Sequence, residues 1–473
     1  MEHNLQVLLD AYHAWMRCAS LRNSRARNKR FTYGDQWSDA YTDRDGDTLT
    51  DGQRCILSGT RPLTNNLLRQ LVRTVVGRYR SQVIDATVPA DKHLVQECLR
   101  LHLDELDSRA LEEFLISGCA CQRVEQVTRL GMTSTEVDNV NLNQFFIDSI
   151  MDPRGKDCHL VGQLHDLTMA ELLQRVAGGS RRRAQWVRRL YCEQADRRIA
   201  DLTTSIGADA MTGIDFWHVH GARCRAIEVW TLESREVVVC HNRRTAQLTV
   251  VPLTQPREVK HMRQDPDVST RWDVETRWRC RWFSPMGDVL LQNDAPPHGH
   301  HPFVTKFYPL IDGEVHSFVE GAIDQQKQVN RLITMVNHVM ECSAKGVLLF
   351  PETSLPDGFT WADVRRAWSN AGGILPYDPR ESDARPEQIV TNTSGAGAYE
   401  MIDLQMRLLE QVSGVSGAMQ GHSGESGNSA SLYETQSQNA VIALTDLFDT
   451  FTAFRDARNR LMRKQSDCRN IAS

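Results

Sequence analysis

GEVHSFVEGAIDQQKQVNRLITMVNHVMECSAKG, residues 313–346, carries apolar side chains at Val319, Ala322, Ile323, Val329, Leu332, Ile333, Val336, Val339 and Met340, with no Gly or Pro between Gly321 and Gly346. That spacing is helical. It predicts one long helix over Phe318 to Cys342, roughly 37 Å at about 1.5 Å per residue. The other face carries Lys327, Arg331, Thr334, His338, Glu341 and Lys345, a stripe expected to meet water or other polar groups. Periodicity alone is also met by any helix that lays one face on its own domain, so its neighbours in sequence decide what it belongs to.

Downstream come two short apolar runs, GVLLFP (Gly346 to Pro351) and GGILPYD (Gly372 to Asp378), which suggest a small β module. A second helical stretch follows from Ala398 to Val412, then the loop GHSGESGNSA, then a third long helix with Tyr433, Ala440, Leu444, Leu447, Phe448, Phe451, Phe454 and Leu461 on its apolar side. The loop holds Gly421, Gly424 and Gly427 with His422, Ser423, Ser426 and Asn428, and only Glu425 is formally charged. Such sequence stays flexible because apolar burial does not offset its ordering entropy. It is a plain linker between helices or a lip that touches a polyanion without trapping it. It is no phosphate cradle, since the GxxxxGK[ST] pattern is missing.

Upstream, residues 4 to 21 have amphipathic helical spacing, and the basic run Arg22, Arg25, Arg27, Lys29 and Arg30 is expected to be a solvated face, with a nucleic-acid contact as the alternative. Pro62, with Thr64 and Asn65 as caps, opens a helix carrying Leu67, Leu68, Leu71, Val72, Val75 and Val76. A further helix is expected from Lys92 to Ile116, ending at Gly118, with ACQRVEQV after it as a strand. Short strands occupy 139–168, and Thr168 with Glu171 forms a capping box for MAELLQRVA. The arginines Arg181, Arg182, Arg183, Arg188, Arg189, Arg197 and Arg198 surround Trp186 in a polar segment, either a solvated helix face or a contact to a subunit or DNA. From Asp215 to Phe307 the pattern turns to β, with FWHVH, CRAIEVWTL, REVVVCH, AQLTVVP, RWRCRWFSP and DVLLQN as strands of an antiparallel sheet.

Composition narrows the function. A chain of 473 residues has room for roughly two to four structural units. Apolar content of 41% and charged content of 24% fit an ordinary globular protein, and the apolar runs fall far short of the ~18 residues of a membrane span. Glu2 and Asp10 interrupt the apolar pattern of the amino terminus, which lacks a basic leading segment and so is not expected to be a secretory signal. The 12 cysteines show no CxxC spacing, which suits a reduced compartment rather than a disulfide framework or a zinc site. Lys and Arg total 55 against 60 Asp and Glu, a net charge of −5. That balance suits DNA passing by without sticking better than a tight DNA binder. No metal is expected. The loop DRDGDTLTDGQR has Thr48 where a calcium loop needs Gly and Arg54 where it needs Glu, and His218, His220, His298, His300 and His301 lack carboxylate or cysteine partners at ligand spacing.

In order along the chain, FTYGDQWSD with RPLTNNLLRQLVRTVVGRYR, FLISGCACQRVEQV, NQFFIDSIMDPRGKD, HHPFVTKFYPLIDGEVHSFVEGAIDQQKQVNRLITMVNHVM, and VSGVSGAMQGHSGESGNSASLYETQSQNAVIALTDLFDTFTAFRDARNRLM resemble segments of tailed-bacteriophage portal proteins, most of all the podovirus type. The collinear series carries the resemblance; no single motif is decisive. It implies an α+β portal fold in a ring, dodecameric in that family. The wing would be residues 1–312, β-rich at about 215–307, and the first stem helix 313–345. A small α/β clip would occupy 346–394, the second stem helix 395–413, the tunnel loop 414–429, and a long terminal helix 430–473. Portals normally continue past that helix into a crown. Here RKQSDCRNIAS follows, so the crown is expected to be short or missing.

The resemblance further implies a structural channel at one capsid vertex of the virion, assembled in the host cytoplasm, for packaging, retaining and ejecting double-stranded DNA. Its partners would be other copies of itself, the terminase large subunit, the head-to-tail adaptor and the major capsid protein. Gly421 to Asn428 would face DNA, and Lys327, Arg331, Thr334, His338 and Lys345 would form the polar face of the stem. The clip would present Leu348, Phe350, Trp361, Arg365, Trp368, Ile374 and Tyr377. No cofactor and no catalysis are expected, since Walker A, HExxH and GxSxG are all missing. Two other readings compete. One is a virion connector or scaffold without a DNA channel; the other is a metal-dependent nucleic-acid enzyme built on the acidic clusters Asp43 to Asp51 and Asp152 to Asp157.

Overall fold

The computed structural model describes residues 2–42, 46–84, 92–129, 132–201, 213–217, 223–285, 290–294, 299–345, 347–351, 355–369, 376–378, 386–389, 396–415 and 442–472. The helices are α1 (Glu2–Arg17), α2 (Ala19–Tyr33), α3 (Asp51–Leu57), α4 (Leu67–Tyr79), α5 (Lys92–Arg100), α6 (Leu103–Ser117), α7 (Met169–Val176), α8 (Arg181–Asp201), α9 (Pro256–Gln264), α10 (Ile323–Lys345), α11 (Trp361–Ser369), α12 (Ala396–Ser413) and α13 (Thr445–Ala472). The strands are β1 (Ala40–Thr42), β2 (Thr48–Thr50), β3 (Cys119–Arg129), β4 (Met132–Asn139), β5 (Phe145–Ile147), β6 (Leu160–Leu167), β7 (Cys224–Asn242), β8 (Leu248–Pro252), β9 (Val268–Phe283), β10 (Leu290–Asp294), β11 (Phe303–Phe307), β12 (Leu310–Ile311), β13 (Glu314–Val315), β14 (Val347–Leu349) and β15 (Glu387–Ile389). The class is α+β. The chain divides into one unit of Met1–Tyr33, Leu68–Gly321 and Ser413–Ser473, and a second of Gly34–Leu67 and Ala322–Val412.

The first unit is built on two antiparallel sheets. One runs in the order β10-β9-β7-β6-β5, with β8 also paired to β7; the other runs β11-β3-β4. Helix α1 packs on the larger sheet through Val7, Leu8, Ala11, Ala14, Trp15 and Cys18, a stripe at helical spacing. Helices α6 and α13 pack on β3 of the smaller sheet. Gly118 ends α6 in the left-handed conformation at φ 73, and a Cβ there would stand 2.5 Å from His316 O. Only glycine satisfies both conditions. Gly162 of β6 is required by closeness alone, because its Cβ would meet Glu228 O at 2.2 Å and the Phe146 ring at 2.3 Å.

Several sequence expectations change in this unit. The basic run after residue 21 is solvated only in part, with Lys29 exposed and Arg27 and Arg30 half-buried. It lies on α2, where Arg22 sits 3.8 Å from the centre of the Trp15 ring and donates to Trp15 O, while Arg25 forks onto both oxygens of Glu113. Both arginines are buried. The helix expected over 92–116 breaks at His102, a non-glycine residue at φ 49, into α5 and α6. CRAIEVWTL and REVVVCH are one strand, β7, because their charged middle is matched across the sheet: Arg235 Nε lies 2.8 Å from Glu275 Oε2, and Glu233 takes Arg279 and Arg281. Phe216 and Trp217 of FWHVH are not in a strand; His218 and His220 lie outside the described residues. Helix α9, unforeseen, is opened by Pro256 at its first turn. RKQSDCRNIA does not end the last helix but continues α13 to Ala472.

The second unit holds α10 against the segment 34–67, with α11, α12 and two small two-stranded antiparallel sheets, β1-β2 and β14-β15. Helix α10 begins at Ile323 rather than Phe318, after a 3₁₀ turn at Glu320–Ala322. β14 pairs with β15, Val347 opposite Ile389 and Leu349 opposite Glu387; of GGILPYD, residues 372–375 lie outside the described residues and 376–378 are not in a strand.

Candidate functional site

Helix α10 is the element that the sequence marks out, and its polar face does not simply meet water. Leu63 N, Asn65 N and Leu67 N donate to Thr334 Oγ1 at 3.1 Å, Asn330 Oδ1 at 3.0 Å and Gln326 Oε1 at 3.0 Å. Alternate residues of an extended chain thus meet every fourth residue of a helix running the other way. The steps agree: two residues of extended chain advance about 6.6 Å, and four residues of helix about 6 Å. Gln326 Nε2 returns a bond to Asn65 O at 2.6 Å, and Asn330 Nδ2 donates to Gln36 Oε1 at 2.6 Å. The three ladder residues are 0%, 1% and 4% exposed in the order Gln326, Asn330, Thr334. A fully bonded buried polar ladder of this kind holds a helix in one register.

Beside the ladder lies an ion cluster. Lys327 Nζ is 2.6 Å from Asp39 Oδ2 and 3.5 Å from Asp51 Oδ2, Arg331 reaches Asp51 Oδ1 at 3.1 Å, and Tyr41 OH donates to the same oxygen at 3.0 Å. Asp51 also stands at the start of α3, whose Thr50 and Gln53 form a capping box. Of the stem residues singled out, Lys327, Arg331 and Thr334 therefore face the segment 34–67; His338 is half-buried, and the Lys345 side chain lies outside the described residues. Gln326 and Asn330 were missed. Their signal was present in the spacing: Gln326, Asn330 and Thr334 are uncharged polar residues at every fourth position, a face that is polar without being built for solvent.

In the small module, Thr360 opens α11, its amide and hydroxyl both held by Asp363 Oδ2, and Val364 is buried. Phe350 and Trp361 meet edge to face with ring centres 6.0 Å apart. Trp361, Arg365 and Tyr377 are exposed, Leu348, Phe350 and Trp368 half-buried, and Ile374 lies outside the described residues. The structure thus brings Phe350 and Trp361 together. All of Gly421 to Asn428 lies outside the described residues.

A second polar centre, unforeseen in the sequence, joins the two sheets of the first unit. Glu228 of β7, fully buried, takes Arg123 of β3, His165 of β6 at 2.7 Å and Trp230 Nε1 at 2.8 Å. Burial alone would raise its carboxyl, but Arg123 and His165 outweigh that and hold it below the usual carboxylate range. His165 stacks on Trp282 at 4.7 Å, and Arg175 sits 5.1 Å from the centre of the same ring. These residues line a cleft of about 650 Å³. With its one buried carboxylate paired to the Arg123 guanidinium and bonded by His165 and Trp230, the centre reads as a structural tie rather than a reaction site.

Of the two acidic clusters, Asp51, Asp152 and Asp157 each have partners close by. Asp51 is held by α10, Asp152 chelates Arg154 at 2.9 Å, Asp157 accepts from Ser149 and from Met151 N, and Asp43 and Asp45 lie outside the described residues. Among the described residues no three His, Cys, Asp or Glu are grouped to hold a metal ion, and no helix is long and apolar enough to cross a membrane. The described cysteines form no disulfide, and burial pushes the thiols of Cys18, Cys119, Cys121, Cys158 and Cys280 up.

The family model described as Phage P22-like portal protein matches residues 173–467, a span that runs from within α7 through β7 to β10 of the large sheet, then α10, α11 and α12, into α13. Comparison with the curated proteins gives no match.

Proposed function

This chain belongs to the family of P22-like phage portal proteins, and from that membership we propose that it forms the axial channel of one capsid vertex, through which double-stranded DNA is packaged, retained and ejected. The family is structural rather than enzymatic and supplies a component of the virion capsid. In this reading identical copies close into a ring, dodecameric as in related portals, with α10 in the wall of the hole. Residues 346–394 are the clip that docks the terminase large subunit and later the head-to-tail adaptor. The major capsid protein surrounds the ring at the vertex, the ATPase that drives the DNA is a separate protein, and this chain performs no catalysis. Residues 414–429, with Gly421 to Asn428, are the loop that faces the duplex.

The family match carries the reading, because one continuous span covers β7 to β10 of the large sheet and then α10, α11 and α12. Physical chemistry supports it. The loop, whose only charge is Glu425, gives a polyanion little to bind by counterion release, so DNA slides past it rather than sticking there. The ladder under α10 gives a wall helix the fixed register that a channel of constant width needs. Negative-stain imaging with native mass measurement of the purified protein tests the reading. Closed rings with a central hole and one subunit number are expected; monomers, or particles without a hole, would refute it.

A further inference from the structure

Although acid outnumbers base in this chain, 60 to 55, the stretch Arg181 to Cys192 at the start of α8 holds five arginines and no acid. Its orientation is fixed from below. Val187 and Tyr191 are buried, Tyr191 OH donates to Arg225 O at 2.6 Å, and Arg183 donates to Leu291 O. Arg181, Arg182, Arg188 and Arg189 are exposed, with Trp186, 43% exposed, beside them. Among the described residues these four arginines have no ion-pair or hydrogen-bond partner.

They form two rows, Arg181 with Arg188 and Arg182 with Arg189. Each row spans seven residues, about 10.5 Å along the helix, over which duplex DNA presents roughly six phosphates. We propose that this exposed arginine face of α8 is a sequence-independent docking surface for the phosphate backbone of double-stranded DNA. Guanidinium suits the task because its planar fork bonds two phosphate oxygens at once and stays charged. A protein partner would call for an apolar centre with charge at the rim; here charge fills the centre and the one large apolar side chain stands at the border. The inference goes beyond the channel reading, since it concerns a folded helix face and not the segment 414–429.

The test uses full-length protein and a fluorescein-labelled duplex of mixed sequence, followed by anisotropy across a salt series. Four phosphate contacts predict that log K falls by about 3.6 per decade of salt, or roughly 150-fold between about 50 and about 200 mM. The variant Arg181→Ala/Arg182→Ala/Arg188→Ala/Arg189→Ala should lose most of that slope and roughly 100-fold of the low-salt affinity, with circular dichroism and oligomeric state unchanged. Trp186→Ala should keep the affinity within about twofold, because phosphate contacts do not use it. The proposal fails if the wild type does not bind the duplex at low salt, or if the fourfold variant binds with the same affinity and slope. It fails equally if Trp186→Ala abolishes binding, the mark of an apolar anchor, or if the fourfold variant changes the oligomeric state, the mark of a subunit contact.

Discussion

Asp107 shows how much a single buried carboxylate can carry. Fully buried on α6, it accepts from Arg458 of α13, from Arg455 at 2.8 Å and from Gln122 Nε2 at 3.2 Å. Asp107→Asn would leave two cations facing an amide, and removing one partner of a buried pair costs about 3–5 kcal/mol. Amides of α13 should then exchange with solvent faster while those of the large sheet keep their protection; unchanged protection of α13 would show that its apolar face alone suffices. His165 sets a pH response. Burial lowers its pKa, and Arg123 and Arg175 add to that, outweighing Glu228. The folded state therefore binds this proton less readily than the unfolded chain, whose histidine titrates near 6.5, so stability rises with pH across that range and is lost as pH falls below it. Glu228, also depressed, acts in the same direction at lower pH. Between about pH 7 and about pH 5 the melting temperature of the wild type should fall more than that of His165→Gln, which removes this proton site; equal slopes would exclude His165 as the source. Features of this kind are unevenly legible in sequence. The Thr168 and Glu171 capping box was readable because its partners are three residues apart, and the structure has both of its bonds. The Arg25 pair was not, because Glu113 lies 88 residues away, and a basic run without its acids in view reads as solvent-facing.

Elements divide along the same line. Periodicity announced α10, α12 and the β-rich region, because a core face imprints its spacing on one segment of chain. Splitting β7 in two was the natural error, since Glu233 and Arg235 interrupt its apolar run and their partners Arg279, Arg281 and Glu275 lie far along the chain on the facing β9. The ladder under α10 was illegible for a similar reason: two residues of strap answer four of helix only once the strap lies there. Its contribution is measurable. In the variant Gln326→Ala/Asn330→Ala/Thr334→Val, the amides of Leu63, Asn65 and Leu67 lose their acceptors, at about 1–3 kcal/mol for each buried group left unbonded. Those three amides should exchange at least about tenfold faster. If they keep their protection, the strap is held by the Asp39 and Asp51 ion cluster instead.

At the scale of the molecule, one copy leaves much apolar surface uncovered in its second unit. Helix α12 exposes Tyr399, Met401, Leu404, Met406 and Val412 while burying Leu409, and α10 exposes Met335 and Met340. A helix apolar around most of its circumference is one that further contacts are meant to cover. The closed ring proposed above would provide them without leaving an open end. Each Met or Leu buried between copies contributes about 1.5–3 kcal/mol, and every interface of a ring repeats the gain. Leu404→Glu places a charge in that surface and should leave the fold of each copy intact while shifting native mass from rings to monomers. Because Leu404 is already exposed in a single copy, loss of the fold itself is not expected, and circular dichroism separates the two outcomes. Rings of unchanged size from Leu404→Glu would remove α12 from the proposed interface between copies.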